Sequence, residues 1–306
     1  MADYEALIDE ETWAFIRLTE SYYPPETATY PVSRQREIYD RLCRAFHRGY
    51  PPGLRVEDQA FAGVPCRVYG EGPATVVYLH GGGFVVGGLE SHDDVCADIA
   101  DRTGYRVVSV DYRLAPEHRH PAAFDDALAA TRSVAAEFGG PVVLAGDSAG
   151  GTLAATVSHA ARSEDLGIAG QVLIYPALGG DMDKGSYLTH ADAPLLTRDD
   201  MLYYMAIRHE DGKAPRSDPT AAPLSDTDFS ALPPTFIVTA ECDPLCDDGR
   251  DYRDRIVAEG GRAHCVDERG LVHGYLRARR TVGRARESFG RICDAIAALG
   301  RGEWPY

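Results

Sequence analysis

Long apolar runs are absent from this 306-residue chain. No stretch reaches the roughly 18 to 20 consecutive apolar residues that a membrane-spanning helix needs. The first residues, Met1-Ala2-Asp3-Tyr4-Glu5, lack the basic start and apolar run of a secretory signal. We therefore expect a cytoplasmic protein without a membrane partner. Since 44% of its residues are hydrophobic, a large buried core is expected.

Positive charge is in short supply. The chain has 31 Lys and Arg against 47 Asp and Glu, which gives a net charge of -16. An acidic surface repels phosphate backbones, and no basic run interrupts it. Nucleic acid is therefore excluded as the expected partner.

Cysteine is sparse and scattered, with seven residues at positions 43, 66, 96, 242, 246, 265 and 293. An odd, dispersed set is typical of reduced thiols and not of a disulfide framework. Cys242 and Cys246 form a close pair, but no second Cys or His pair follows at zinc-ligand spacing. We expect no metal and no cofactor.

What the chain does contain is a regular alternation of strand-like and helix-like segments. Apolar, β-branched runs predict strands at 75–79, 105–110, 141–145, 171–175, 235–239 and 263–266. Helical spacing predicts helices at 93–102, 122–138, 150–161, 247–259 and 277–299. Segments 54–61 and 64–69 suit a hairpin at one edge. This order favours a mostly parallel sheet covered by helices on both faces.

Two regions lack strand patterns, residues 1–50 and about 178–230. In a single α/β domain spanning 1–306, we expect them to form a helical cap. Ligands of α/β proteins bind beyond the carboxyl ends of the strands, where a cap would enclose them. The alternative is that both segments only cover the surface.

A candidate nucleophile, Ser148, stands in the motif Gly146-Asp147-Ser148-Ala149-Gly150-Gly151, between a predicted strand and an Ala-rich helix. A nucleophilic serine needs a sharp strand-to-helix turn with small neighbours. There the Ala149 N–H and the helix N-terminus face the developing negative charge. The alternative is an ordinary strand-to-helix turn.

A glycine-rich loop, His80-Gly81-Gly82-Gly83-Phe84, follows the predicted strand 75–79. Successive glycines expose backbone N–H groups that can stabilise an oxyanion. A phosphate loop is excluded because no G-K-[ST] or G-x-G-x-x-G pattern accompanies it. We interpret His80 as a structural residue at the end of the strand.

A nucleophilic serine also needs an acid and a base, which follow it along the chain in this arrangement. Asp243, in the loop after strand 235–239, is the preferred acid. Glu241 falls at the end of that strand, and Asp247 suits the N-cap of the next helix. His273 lies in the loop after the last strand and is the preferred base, whereas His264 falls inside that strand.

With these residues in place, the sequence resembles the hormone-sensitive-lipase family of α/β hydrolases, especially bacterial esterases of its GDSAG subgroup. The motifs that carry the resemblance are His80-Gly81-Gly82-Gly83-Phe84, Asp111-Tyr112-Arg113-Leu114-Ala115-Pro116-Glu117, Gly146 to Gly151, Asp243-Pro244-Leu245 and His273-Gly274-Tyr275. The resemblance implies the α/β-hydrolase fold and the catalytic residues Ser148, Asp243 and His273. It also implies an oxyanion hole with Gly82, Gly83 and Ala149 as donors and Gly81 in the same loop.

The expected function is therefore a carboxylesterase acting on small-molecule esters through a Ser-His-Asp acyl enzyme. An amidase, lactonase or deacetylase would use the same residues, and a binding protein like the plant gibberellin receptors is a second class. We expect short acyl chains because Trp13, Phe15, Tyr22 and Tyr23 would bring bulky rings to the mouth of the site. A homodimer is the candidate assembly.

Overall fold

The computed structural model describes residues 2–212 and 217–306, and its centre is an eight-stranded sheet. The strand order is β1-β2-β4-β3-β5-β6-β7-β8. Pairs β1–β2 and β2–β4 are antiparallel, and all other neighbours are parallel. The strands are β1 (Val56–Phe61), β2 (Val64–Tyr69), β3 (Thr75–Leu79), β4 (Arg106–Val110), β5 (Val142–Asp147), β6 (Ile168–Ile174), β7 (Thr235–Cys242) and β8 (Ala263–Val272).

The edge hairpin expected from the sequence is confirmed. β1 and β2 pair from Phe61 opposite Val64, so the turn consists of Ala62 and Gly63 alone. Both turn residues have positive φ, 51° and 81°, which matches the twist of a two-residue hairpin. In the interior, by contrast, every residue of β3 is buried, as expected for a parallel strand covered on both faces.

Helices cover both faces of the sheet. One face packs against α4 and α10, and the other against α5, α6 and α9. The helices are α1 (Tyr4–Leu7), α2 (Glu10–Glu20), α3 (Val32–Phe46), α4 (Asp93–Thr103), α5 (Ala122–Phe138), α6 (Ala149–Ala161), α7 (Gly185–Thr189), α8 (Arg198–Arg208), α9 (Cys246–Ala258) and α10 (Gly283–Gly300). Short 3₁₀ helices lie at Thr27–Thr29, Pro223–Ser225 and Tyr275–Ala278.

Several boundaries in the C-terminal half differ from the sequence prediction; β7, for example, ends at Cys242 and not at 239. β8 continues to Val272, beyond residue 266, because it pairs with β7 again after a register shift. The last helix begins at Gly283 and not at 277, since Tyr275–Ala278 forms a separate 3₁₀ turn. Asp247 lies inside α9, so its prediction as N-cap is wrong; the chain already turns at Leu245, whose N–H bonds the Asp243 side chain.

The described residues of the two segments predicted to lack strands fold as α1 to α3 and as α7, α8 and the turn Pro223–Ser225. Across residues 2–212 and 217–306, every helix is too short or too polar to cross a membrane.

Candidate active site

Ser148 stands at a sharp turn between β5 and α6. Its backbone has φ 53° and ψ -120°, a strained conformation for a residue with a side chain. The Ser148 N–H donates to the Ile174 carbonyl oxygen at 2.8 Å, which ties the turn to β6. This turn therefore places the Ser148 hydroxyl at the carboxyl end of the sheet.

The turn is possible because Gly146 and Gly150, two residues before and two after Ser148, lack side chains. A Cβ on Gly146 would lie 2.7 Å from the Leu79 carbonyl oxygen, and a Cβ on Gly150 would overlap that same oxygen. No real Cβ tolerates such contacts with backbone atoms. Glycine is thus required where β3, β5 and α6 meet.

The three residues predicted to act together are joined in one hydrogen-bonded chain. His273 Nε2 lies 2.9 Å from Ser148 Oγ, and His273 Nδ1 lies 2.7 Å from Asp243 Oδ2. The Asp243 side chain is fully buried, whereas that of His273 is 13% exposed. Because a carboxylate only accepts, Nδ1–H donates to Asp243, and Nε2 is left to accept the serine proton.

The alternative acid and base candidates lie elsewhere. Glu241 is at the end of β7, as predicted, and accepts the Gly270 N–H at 2.7 Å. Asp247 accepts the Ser186 N–H at 2.7 Å. His264 is inside β8 and stacks on the Tyr306 ring with centroids 5.0 Å apart.

Next to Ser148 runs the loop of glycines after β3. Gly82 and Gly83 have φ of 133° and 61°. Within the described ranges, neither of their N–H groups has a backbone or side-chain acceptor, and the same holds for Ala149 at the start of α6. These three donors are free to face a ligand.

Gly81 differs from its neighbours. Its N–H donates to Asp147 Oδ1 at 2.9 Å, so it has no donor to offer an oxyanion. The prediction that Gly81 belongs to the oxyanion hole is therefore wrong. Gly81 instead fixes the position of the loop through its bond to Asp147. The sequence could not reveal this because the acceptor is 66 residues away.

Asp147 is the functional residue for which the sequence analysis gave no role. Its carboxylate also accepts from Tyr78 Oη at 2.8 Å and lies 3.2 Å from His92 Nε2. Burial alone would raise the pKa of Asp147, but His92 and the Tyr78 hydrogen bond outweigh burial and hold it well below its usual range. The only signal in the sequence was the acidic residue preceding the serine.

His80 is fully buried at the end of β3, as its structural interpretation predicts. Its ring stacks on Tyr112 with centroids 4.3 Å apart, and Nδ1 lies 2.9 Å from the Gly81 carbonyl oxygen. Burial lowers the pKa of His80 to about 4, so the ring is neutral near pH 7.

A cavity of about 690 Å³ opens over Ser148. Gly82, Gly83, Ala149 and His273 line its floor. Much of the remaining wall comes from the two strand-free segments and includes Phe15, Tyr23, Tyr39, Leu196, Met201, Tyr204 and Arg208. Of the four aromatic residues expected at the mouth, Phe15 and Tyr23 line the cavity, whereas Trp13 and Tyr22 pack against the core and do not line it, so their predicted place is wrong.

Among the described residues, no three His, Cys, Asp or Glu side chains come together as a metal site would require. All seven cysteines are free, and Cys242 and Cys246 are both buried.

Comparison with known proteins gives consistent matches. A family model described as alpha/beta hydrolase fold matches residues 76–277. The chain is 40% identical over 271 residues to carboxylesterase NlhH of Mycobacterium tuberculosis, covering 82% of this chain and 83% of that one. It is 34% identical over 231 residues to ethyl acetate hydrolase of Pseudomonas putida, covering 73% and 72%.

Among solved structures, a hyperthermophilic esterase from the archaeon Pyrobaculum calidifontis superposes with a TM-score of 0.88. It is 34% identical in sequence, and the match covers 96% of this chain and 99% of the other. The similarity therefore includes the strand-free segments as well as the sheet.

Proposed function

This chain belongs to the α/β-hydrolase fold family, and we propose that it is a carboxylesterase that hydrolyses short-chain acyl esters through an acyl enzyme on Ser148. Its resemblance to the hormone-sensitive-lipase family is borne out by the esterases that it matches. The observation that carries the proposal is the chain of hydrogen bonds from Ser148 through His273 to Asp243, at 2.9 and 2.7 Å.

In the first half of the reaction, Ser148 Oγ attacks the ester carbonyl carbon while His273 Nε2 accepts its proton. Asp243 orients the imidazole and stabilises the imidazolium that forms. The tetrahedral intermediate collapses as His273 protonates the leaving alcohol. Water, deprotonated by His273, then attacks the carbonyl carbon of the acyl enzyme. As this second intermediate collapses, His273 returns the proton to Ser148 Oγ and the acid is released.

Negative charge on the carbonyl oxygen is stabilised by the N–H groups of Gly82, Gly83 and Ala149. Their freedom from other acceptors supports this role. Fixed backbone donors favour the transition state over the ground state, because they are aimed at charge that develops only during reaction.

We also propose that residues 1–50 and 178–230 act as the cap. Support comes from the cavity walls, which combine Phe15, Tyr23 and Tyr39 with Leu196, Met201 and Tyr204. Rings at this position limit the length of acyl chain that fits. A relative named for ethyl acetate, a two-carbon acyl ester, supports the short-chain assignment.

We also propose a cytoplasmic location, because the cysteines are unpaired. Seven free thiols, six of them buried, suit a reducing compartment. The homodimer stays a prediction.

The test is a panel of 4-nitrophenyl esters from acetyl to palmitoyl. We expect kcat/KM to be highest between acetyl and hexanoyl and to fall steeply beyond. Faster cleavage of the palmitoyl ester than of the butyryl ester would refute the preference for short acyl chains. Failure to cleave any ester would refute the assignment as a carboxylesterase.

A further inference from the structure

A guanidinium group faces the cavity close to His273. Arg277 lies on the 3₁₀ turn Tyr275–Ala278, four residues after His273, and lines the cavity. Its Nη2 donates to Tyr39 Oη, and its guanidinium carbon lies 4.8 Å from the centre of the Tyr39 ring. Tyr39 therefore holds the side chain in one orientation.

That orientation leaves Nη1 on the side of the base. A Cβ built on Gly274, the residue after His273, would lie 3.3 Å from Arg277 Nη1. The bond to Tyr39 uses Nη2, and Nε is buried without a hydrogen-bond partner in the described ranges. Nη1 is thus the donor that a bound molecule can reach.

Arg277 has no acidic partner. Among the described residues, no carboxylate oxygen lies within 4.0 Å of its nitrogens. Arg279, two residues further on, is more deeply buried than Arg277 but pairs with both Asp94 and Asp98 at 2.7 Å. The nearby Asp147 is already engaged by Gly81, Tyr78 and His92.

Asp147 attracts the Arg277 guanidinium only from beyond 4.0 Å. A cation without a carboxylate in contact is costly in a low-dielectric wall, and an apolar side chain of similar size would pack there without that cost. Such a group is compensated when an anion binds beside it. Guanidinium pairs well with carboxylates through charge-assisted hydrogen bonds. Arg208, which also lines the cavity and lies over the Phe84 ring, adds a second positive charge.

We propose that Arg277 binds a carboxylate of the substrate, so that the preferred esters carry a free carboxylate, as monoesters of short dicarboxylic acids do. This inference rests on the proposed carboxylesterase function and names its substrate class. Arg277 is a specificity-determining residue in this account, and it takes no part in the proton transfers.

The experiment compares two esters that differ in one charge. 4-Nitrophenyl hydrogen glutarate carries a free carboxylate, and 4-nitrophenyl methyl glutarate is its neutral counterpart. We expect the wild type to prefer the charged ester in kcat/KM by about tenfold or more, the range of a hydrogen bond to a charged group.

Arg277→Met should abolish that preference while changing kcat/KM for the neutral ester by less than about threefold, a change too small for a lost transition-state interaction. Arg277→Lys keeps the charge and should retain part of the preference. Arg286→Met is the matched control: Arg286 is exposed on α10, so the same loss of charge should leave the preference intact.

The inference, but not the carboxylesterase assignment, would be overturned by a wild type that does not prefer the charged ester, or by an Arg277→Met enzyme that keeps the preference. An equal loss on both esters would overturn it as well, because Arg277 would then only support Tyr39. If Arg277→Met does not fold, Arg277→Gln, which removes the charge but keeps an N–H donor for Tyr39, replaces it, and a preference that persists undiminished in Arg277→Gln overturns the inference. Activity on neither ester would instead count against the carboxylesterase itself.

Discussion

The backbone N–H of Gly81 donates to Asp147 Oδ1 at 2.9 Å. Asp147 precedes Ser148 in the chain, and Gly81 precedes the free donors of Gly82 and Gly83. One buried carboxylate therefore fixes the distance between the candidate nucleophile and two of the candidate oxyanion donors. Tyr78 Oη donates to the same oxygen at 2.8 Å, and His92 Nε2 lies 3.2 Å from the other oxygen, Oδ2.

Asp147→Asn should lower kcat by roughly 10- to 100-fold with little change in KM, since small misplacements of catalytic groups cost rate. The amide keeps the shape of the side chain but cannot accept from all three partners. Steady-state kinetics on 4-nitrophenyl butyrate measure this. Asp101→Asn, an exposed change on α4, is the control. An unchanged kcat would show that the contact does not position the loop.

Gly83→Ala should reduce kcat by about 100-fold or more, because loss of an oxyanion donor has an effect of this size. KM should stay within about threefold of the wild-type value. Gly83 has φ 61°, and an added Cβ would collide with the Tyr204 ring, so the loop must move. Gly53→Ala is the matched control, because Gly53 has φ 81° with open space around it. A change confined to KM would contradict the oxyanion role.

The buried His80 predicts a pH-dependent stability. Its pKa is about 4 in the folded protein because of burial, against an ordinary value of 6.5. Between these values the unfolded chain binds a proton that the folded protein does not, so the free energy of unfolding falls as pH drops from about 6.5 to about 4, by roughly 3 kcal/mol. Above this window the stabilisation is fully present.

Urea unfolding across that range checks the effect. His80→Gln should be less stable near pH 7 but should lose less stability on acidification than the wild type. His118→Gln, an exposed substitution, should leave the wild-type pH profile unchanged. Parallel profiles for His80→Gln and the wild type would count against the assignment.

Tyr23→Ala should shift the acyl preference toward longer chains, with the octanoyl-to-butyryl ratio of kcat/KM rising severalfold. Tyr23 lines the cavity, whereas Trp13 packs against the core and does not line the cavity. Trp13→Ala should therefore lower the melting temperature without moving the ratio. If both variants shift the ratio equally, the cavity wall is not what sets chain length.

Much of the fold was predictable because periodicity and turn chemistry are local. The buried valine-rich strands, the hairpin turn at Ala62 and Gly63, and α5 over Ala122–Phe138 all follow from short-range patterns. The end of β8 was not predictable, because its last residues pair with β7 only after a register shift that depends on tertiary contacts.

In the candidate site, too, some residues could be predicted from local sequence patterns and others could not. Ser148, Asp243 and His273 were identified from strand ends and chain order. The features that the sequence did not predict depend on long-range contacts. Gly81 gives its N–H to Asp147, and Trp13 packs against the core and does not line the cavity. The lack of a carboxylate in contact with Arg277 was also hidden, since an arginine in the sequence does not reveal which acids surround it.

We propose Ser148 as the nucleophile, activated by His273. The most direct measurement is intact-protein mass spectrometry after exposure to a fluorophosphonate, followed by peptide mapping. We predict one adduct per chain on Ser148 in the wild type, none in Ser148→Ala, and strongly slowed labelling in His273→Ala. An adduct on Ser148→Ala at the wild-type rate, or full ester hydrolysis by that folded variant, would contradict the account.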